Sequence, residues 1–448
     1  MRPVWRLLLP VAPLAALAVV LISTMNRAPR GNVLLVVVDT LRADRLGAYG
    51  WHKNTSPHVD LLASQGALFE QMICQVPQTL PSFCSILTGT YPVTHSVRVN
   101  GLFALPSEPA TLAEVFRRNG YRTAAFIAGF PLDSQFGAGR GFELYDDEMR
   151  SVRPMAGLER APDGTFKWQG YTTTAFESTA DVVAEQVMSW LDKHHDEPFF
   201  LMVHYFDPHH DYAPPARFRT LFPNPYSGEV AFVDEQFGRV LAKLDELALA
   251  EQTLVVFTAD HGECLGEHGR YFHQSQLWNA ALQIPCIIRW PGRVPAGTRI
   301  SGSCRSVDIM PTILELAALP VPAQVQGTSL LAAMHTGETG DLAGYFENLY
   351  GKLEVTSGIT RQGIQRGNWK YIYSQRDHPP PGGASERREL YDLSTDPEEL
   401  VNLAGERPEQ AEQLHNALAE FLRTQPAGEA RTLAPDDETR AKLKALGY

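Results

Sequence analysis

The run NVLLVVVD opens on Asn32, continues through six aliphatic side chains and closes on the carboxylate of Asp39. A strand with one wet face alternates apolar and polar residues; a run with no polar interruption needs cover on both faces, as in a parallel sheet layered by helices. Few folds supply that environment, and the chain asks for it repeatedly. RTAAFIAG from Arg122, PFFLMVHYFD from Pro198, TLVVFTAD from Thr253 and PCIIRW from Pro285 follow the same pattern. Between them, over Ser178 to Lys193 and Gly228 to Leu247, apolar residues return every three or four positions, which predicts helices. Strands alternating with helices predict an α/β domain: a large, mostly parallel central sheet with helices on both faces.

After about residue 340 the pattern shortens. NWKYIYS and RELYDLS read as strands of a small sheet, HPPPGGAS between them as an exposed hairpin loop, and Arg407 to Arg423 as a helix. The expected organisation is a targeting segment over 1–30, an α/β catalytic domain over 31–340 and an α+β subdomain over 341–448. A chain of 448 residues with 44% apolar and 20% charged residues suits one large core and a smaller one.

Residues 1–30 stand apart. Arg2 and Arg6 precede an uncharged apolar run from Leu7 to Ile22, and Arg27 and Arg30 follow it. This reads as an export signal, either a cleaved signal peptide or an anchor that attaches the protein to a membrane, with the catalytic part on the periplasmic or extracellular side. The absence of a nearby A-x-A site or lipobox cysteine favours an anchor; Pro10 and Pro13 weigh against it. The net charge of -12, without a Lys/Arg-rich block, excludes the electrostatic footprint of a nucleic-acid binder. Cys74, Cys84, Cys264, Cys286 and Cys304 make an odd count without metal-binding spacing, and read mainly as small buried side chains.

Ligands of open parallel sheets lie beyond the carboxyl ends of the strands. Three runs end there on chemistry: the first on Asp39, the second across His204, Asp207, Pro208, His209 and His210, the third on Asp260, His261 and Glu263. An aspartate at one strand end is an ordinary helix cap or turn former. Two carboxylates and an imidazole at strand ends of one sheet, brought together, would make an oxygen-rich divalent-metal site with one nitrogen ligand. The stretch PQTLPSFCSILTG, Pro77 to Gly89, reads as a turn feeding a helix, with Pro81 in its first turn and Gly89 just past its end. This places Thr79 about two residues outside the helix N-terminus, where an anion is favoured and where a hydroxyl is also an ordinary cap.

NVLLVVVDTLRADRLGAYG, PQTLPSFCSILTGTYPVTHSVRVNG, PFFLMVHYFDPH, FTADHGECLGEHG and IPCIIRWPG occur in this order. With VDIMPTILELAAL, GNWKYIY, ELYDLSTDPEE and the terminal KLKALGY, they resemble the sulfatase family of the alkaline-phosphatase-like superfamily, from Asn32 to Tyr448. The resemblance implies one divalent metal ion held by Asp39, Asp260 and His261; these donors do not select among calcium, manganese, magnesium and zinc. It implies that His209 and His273 bind the anion or protonate the leaving oxygen, and that Asn100 and His204 stand on the substrate side. The implied substrate is a small-molecule, glycan or lipid ester.

The chain departs from the family pattern in two places. Thr40 stands where many sulfatases carry a second adjacent aspartate, and Thr79-Leu80-Pro81-Ser82-Phe83 stands where they read C-x-P-S-R or S-x-P-S-R. Threonine is not a source of formylglycine, and Phe83 replaces the supporting arginine. These departures imply a threonine nucleophile acting on phosphate or sulfate esters, as hydrolase or transferase, with phosphorus the better match to direct hydroxyl attack. Sulfate-ester hydrolysis without formylglycine is the alternative within that class, and a non-catalytic binding protein the alternative outside it.

Overall fold

The computed structural model describes residues 31–446 apart from 152–158, 161–164, 169–170, 274–275, 341, 354–357 and 380–382. Eight strands form the central sheet: β1 (Asn32–Val38), β2 (Ala67–Ile73), β3 (Arg122–Phe126), β4 (Leu144–Asp146), β5 (Phe199–Tyr205), β6 (Thr253–Ala259), β7 (Gln283–Arg289) and β8 (Thr298–Arg305). Their order is β8-β2-β7-β6-β1-β5-β3-β4. All run parallel except β7, which is antiparallel to both β6 and β2. Its PCIIRW run does not reveal that reversal, because burial on both faces selects the same apolar residues whichever way a strand points.

β1 is buried along its whole length, as the unbroken aliphatic run requires. It lies between β6 and β5, with Val38 opposite both Ala259 and Tyr205. That register brings the residues following three strands, Asp39, Phe206 and Asp260, to one edge of the sheet. Helices α1 (Thr79–Thr88), α2 (Ala180–His194) and α3 (Pro225–Glu246) are among those flanking it. The last two fall within three residues of the spans predicted from periodicity.

A second, antiparallel sheet follows in the order β9 (Gly344–Asn348), β10 (Ile359–Arg366), β11 (Trp369–Arg376) and β12 (Glu386–Asp392), with α4 (Pro408–Thr424) packed against it. β11 and β12 pair as a hairpin, Gln375 with Glu386, across the HPPPGGAS segment, of which 380–382 lie outside the described residues. β9 and β10 escaped sequence reading because their polar residues alternate irregularly with few apolar ones. Glu159–Arg160 and Phe166–Trp168 form a three-stranded antiparallel sheet with Tyr171–Thr173. All five cysteines are buried free thiols. Among the described residues no helix is long and apolar enough to cross a membrane. The Leu7 to Ile22 run lies outside the described residues.

Candidate active site

Asp39, Asp260 and His261 meet at the carboxyl edge of β1 and β6, all fully buried, each offering a ligand atom within 4.8 Å of the others. His261 Nε2 lies 3.8 Å from Asp39 Oδ1 and 3.5 Å from Asp260 Oδ2. The His261 tautomer is set by its other nitrogen: Nδ1 is 3.0 Å from the Gly262 carbonyl, which can only accept, so Nδ1 carries the proton and Nε2 keeps its lone pair. Asp260 Oδ1 accepts the N–H groups of His261 and Thr40, at 2.7 and 3.2 Å, while Oδ2 has no hydrogen-bond donor among the described residues. Burial, then the neighbouring Asp39 charge, hold the Asp260 carboxyl well above its usual range. Two carboxylates and a bare imidazole nitrogen in a dry site are costly unless a cation joins them, so the donors fit a divalent metal ion. Thr40, at the position of the missing aspartate, has left-handed backbone (φ 52) and donates its hydroxyl to the Pro208 carbonyl.

Thr79 corrects the sequence reading. It is the first residue of α1 rather than two residues outside it, and Gln78 is the N-cap. The turn before Pro81 is already helical, since a proline in the first turn removes only an N–H with no helical acceptor. Thr79 Oγ1 donates to Asp39 Oδ2 at 3.2 Å. Three contacts fix the head of the helix: Leu80 N–H donates to Asn100 Oδ1 at 2.8 Å, Asn100 N–H to Gln78 Oε1 at 3.1 Å, and Ser82 Oγ to the Asp260 carbonyl at 2.5 Å. At the other end Gly89 takes left-handed backbone (φ 63) and returns its N–H to Ser85. Asn100 therefore spends its oxygen on the head of α1, and its amide nitrogen, like that of Gln78, is buried with no acceptor among the described residues. Cys84 lies inside α1, its thiol raised by burial, as packing rather than chemistry.

The remaining histidines separate by what their ring nitrogens face. His204 Nδ1 accepts the Ala128 N–H at 3.3 Å, so its proton is on Nε2, 3.5 Å from Asp39 Oδ2. That tautomer makes His204 a donor towards Asp39, and burial pushes the imidazole down to about 3. Phe83, in the arginine position, packs edge-on against its ring at 5.1 Å. His209 Nδ1 donates to the His210 carbonyl at 2.7 Å, leaving Nε2 as the basic nitrogen, and its ring stacks on Phe206. His273 Nδ1 is 3.1 Å from Glu263 Oε1, and its ring lies 4.3 Å from that of His261 and 5.5 Å from that of His209.

Sequence reading did not assign roles to Gln78, Glu263 or Tyr212. Glu263 is fully buried, bonds His273 through one oxygen and accepts the Tyr212 hydroxyl at 3.1 Å through the other; burial pushes it up to about 8. Its place two residues after His261 was the available signal. Tyr212 lies in a polar segment without periodicity and left none.

A mostly parallel sheet with two carboxylates and an imidazole that could hold a metal ion at the ends of adjacent strands, facing a helix N-terminus, has the alkaline-phosphatase-like fold. The chain belongs to the sulfatase family, a family of sulfuric ester hydrolases: the sulfatase model matches residues 31–319. The C-terminal model of N-sulphoglucosamine sulphohydrolase matches residues 266–426. The ulvan-active sulfatase of Formosa agariphila is 26% identical over a match covering 69% of this chain and 66% of that protein. Among solved structures, one in complex with its substrate D-glucosamine-2-N,6-O-disulfate superposes with a TM-score of 0.72 at 21% identity, covering 88% of this chain and 98% of the other. The phosphonate monoester hydrolase of Agrobacterium radiobacter superposes at 0.70 with 22% identity, covering 88% and 96%.

Proposed function

We propose that the protein is an exported, metal-dependent hydrolase of sulfate or phosphate esters that uses unmodified Thr79 as its nucleophile. The observation that carries this reading is the 3.2 Å hydrogen bond from Thr79 Oγ1 to Asp39 Oδ2 at the head of α1. A carboxylate oxygen in line with the hydroxyl can take its proton as the Thr79 oxygen attacks the central sulfur or phosphorus. Asp39, Asp260 and His261 would hold the metal, which when bound supplies positive charge against the ester oxygens. The N-terminal N–H groups of α1 and the Nε2–H of His204 favour the same negative charge.

Completing one turnover takes two displacements. In the first, the bond from Thr79 Oγ1 to the central atom forms, the ester bond to the alcohol breaks, and His273 gives the departing oxygen its proton. In the second, water attacks the Thr79 adduct and His209 Nε2 takes a proton from it; Asp39 returns to Thr79 Oγ1 the proton it took, and the proton on His209 passes to His273, 5.5 Å away between ring centres, so that both histidines are restored. His209 suits the base role because its Nδ1 proton is committed to the His210 carbonyl. Phe83 against His204 supports an unmodified side chain, since nothing charged occupies the position that would assist an aldehyde hydrate. The glycan-directed relatives favour a glycan or other small-molecule ester as substrate, and the Leu7 to Ile22 run supports export with membrane attachment.

The Thr79→Ala variant should lose at least about a thousandfold in turnover while keeping its metal content. Full activity in that variant would remove Thr79 from the reaction. A panel of aryl sulfates, phosphates and phosphonates assigns the central atom by which ester the wild type turns over.

A further inference from the structure

We infer that an arginine-lined cleft beside the active site binds a second anionic group of the substrate, apart from the ester that is cleaved. The cleft, about 430 Å³, lies between the second sheet and the hairpin spanning 264–272. Three guanidiniums come from one face of the sheet: Arg361 on β10 is directly opposite Ser374 on β11, which is opposite Arg387 on β12, and Arg376 follows two residues along β11. Arg270 supplies a fourth from the hairpin.

These like charges are not directly opposed, since Ser374 lies between Arg361 and Arg387, but they share one face with a single carboxylate of the sheet. Glu389 is that carboxylate; it bonds Arg387 at 2.9 Å and already accepts the Tyr391 hydroxyl at 2.8 Å. Glu386 springs from the opposite face, with Tyr373, and also lines the cleft at its end. Among the described residues the side chains of Arg270, Arg361 and Arg376 enter no ion pair or hydrogen bond. Burial pulls the Arg361 guanidinium below its ordinary value; the Glu389 carboxylate acts against this, and the Arg387, Arg270 and Arg376 charges add to it. On the cleft floor Ser374 is 9% exposed, and its hydroxyl has no partner among the described residues. Converging guanidinium forks around a small buried hydroxyl present the donors that a sulfate, phosphate or carboxylate accepts.

The same hairpin ties this cleft to the reaction. Glu263 precedes it, His273 follows it, and Arg270 is three residues before His273, a reach of about 10 Å in extended chain. Tyr271 and Phe272, exposed by 67% and 45%, stand between them as apolar surface for the body of the substrate. The substrate class is therefore a doubly anionic ester: one group is cleaved at Thr79 while the other is held by the arginines.

The assignment rests on the proposed ester chemistry for the first group only, so it is tested with and without turnover. Biphenyl esters carrying one sulfate or phosphate, or one at each end, are compared in wild type and in the Arg361→Gln/Arg376→Gln double variant. Two lost charge-assisted bonds predict a KM for the double ester raised by at least about tenfold, with kcat/KM for the single ester unchanged within about twofold. Calorimetry with a biphenyl carrying a non-hydrolysable sulfonate at each end should show the same weakening, whatever the identity of the nucleophile. Equal losses on both esters, or unchanged affinity for the disulfonate, would overturn the second site. Failure of Thr79→Ala to stop turnover would overturn the nucleophile and leave the disulfonate result intact.

Discussion

At the scale of single residues, chemistry here is decided by the second partner of each side chain. His261 and His204 both approach Asp39, at 3.8 and 3.5 Å, yet one presents a lone pair and the other a proton. The difference arises outside the site, where Nδ1 meets a carbonyl in one case and an N–H in the other. His261→Ala is therefore expected to lose most of the bound divalent ion, by about ten- to a hundredfold in affinity. His204→Ala should keep the ion while turnover falls. Metal content and titration of the purified variants check both outcomes; equal metal loss in the two would refute the division of roles. This division was not legible in the sequence, which supplied the histidines but not the Gly262 carbonyl or the Ala128 amide that orient them. Asp39, Asp260 and His261 were legible because each follows a recognisable buried strand.

At the scale of elements, α1 carries Thr79 at its head and depends on contacts along its length. His95 supports it from the following short helix, Nε2 lying 3.1 Å from Ser85 Oγ while Nδ1 accepts the Val97 N–H at 3.2 Å. Nδ1 faces a donor, so a second ring proton has no acceptor; burial, then the Arg98 charge, push this imidazole down to about 3. The unfolded chain takes up that proton near 6.5 and the folded chain does not until about 3. Stability from this group is therefore complete above pH 6.5 and falls as the pH drops from there towards 3. His95→Gln, which cannot be protonated, should flatten the thermal midpoint against pH across that window relative to wild type. Identical slopes would show that His95 is not a source of acid lability. The existence of α1 was readable from Pro81 and Gly89, but its first residue was misplaced because capping signals locate a helix end only to within a turn.

At the scale of the whole molecule, the second sheet is joined to the catalytic sheet through buried charge. Lys370 on β11, fully buried, pairs with Glu399 at 2.7 Å and with Asn279 Oδ1 at 2.8 Å, and Glu399 also accepts the Asn279 N–H at 2.6 Å. Lys370→Met would strand the Glu399 carboxylate, costing about 3–5 kcal/mol, and adding Glu399→Gln should recover part of that loss in denaturant titrations. No recovery in the double variant would mean that packing rather than charge dominates this junction. The parallel architecture was legible because unbroken apolar strands admit few alternatives; the junction was not, since lysine in GNWKYIY reads as an ordinary surface residue. All these parts converge on the hydroxyl at the head of α1. The most direct test of its role is mass spectrometry of the Thr79 peptide after brief exposure to sulfate- and phosphate-ester substrates and acid quench. The expected result is an otherwise unmodified threonine carrying a sulfo or phospho adduct, distinguished by exact mass. An adduct on another residue during turnover, or a Thr79 peptide that never carries one in a chain whose Thr79→Ala variant remains active, would contradict it.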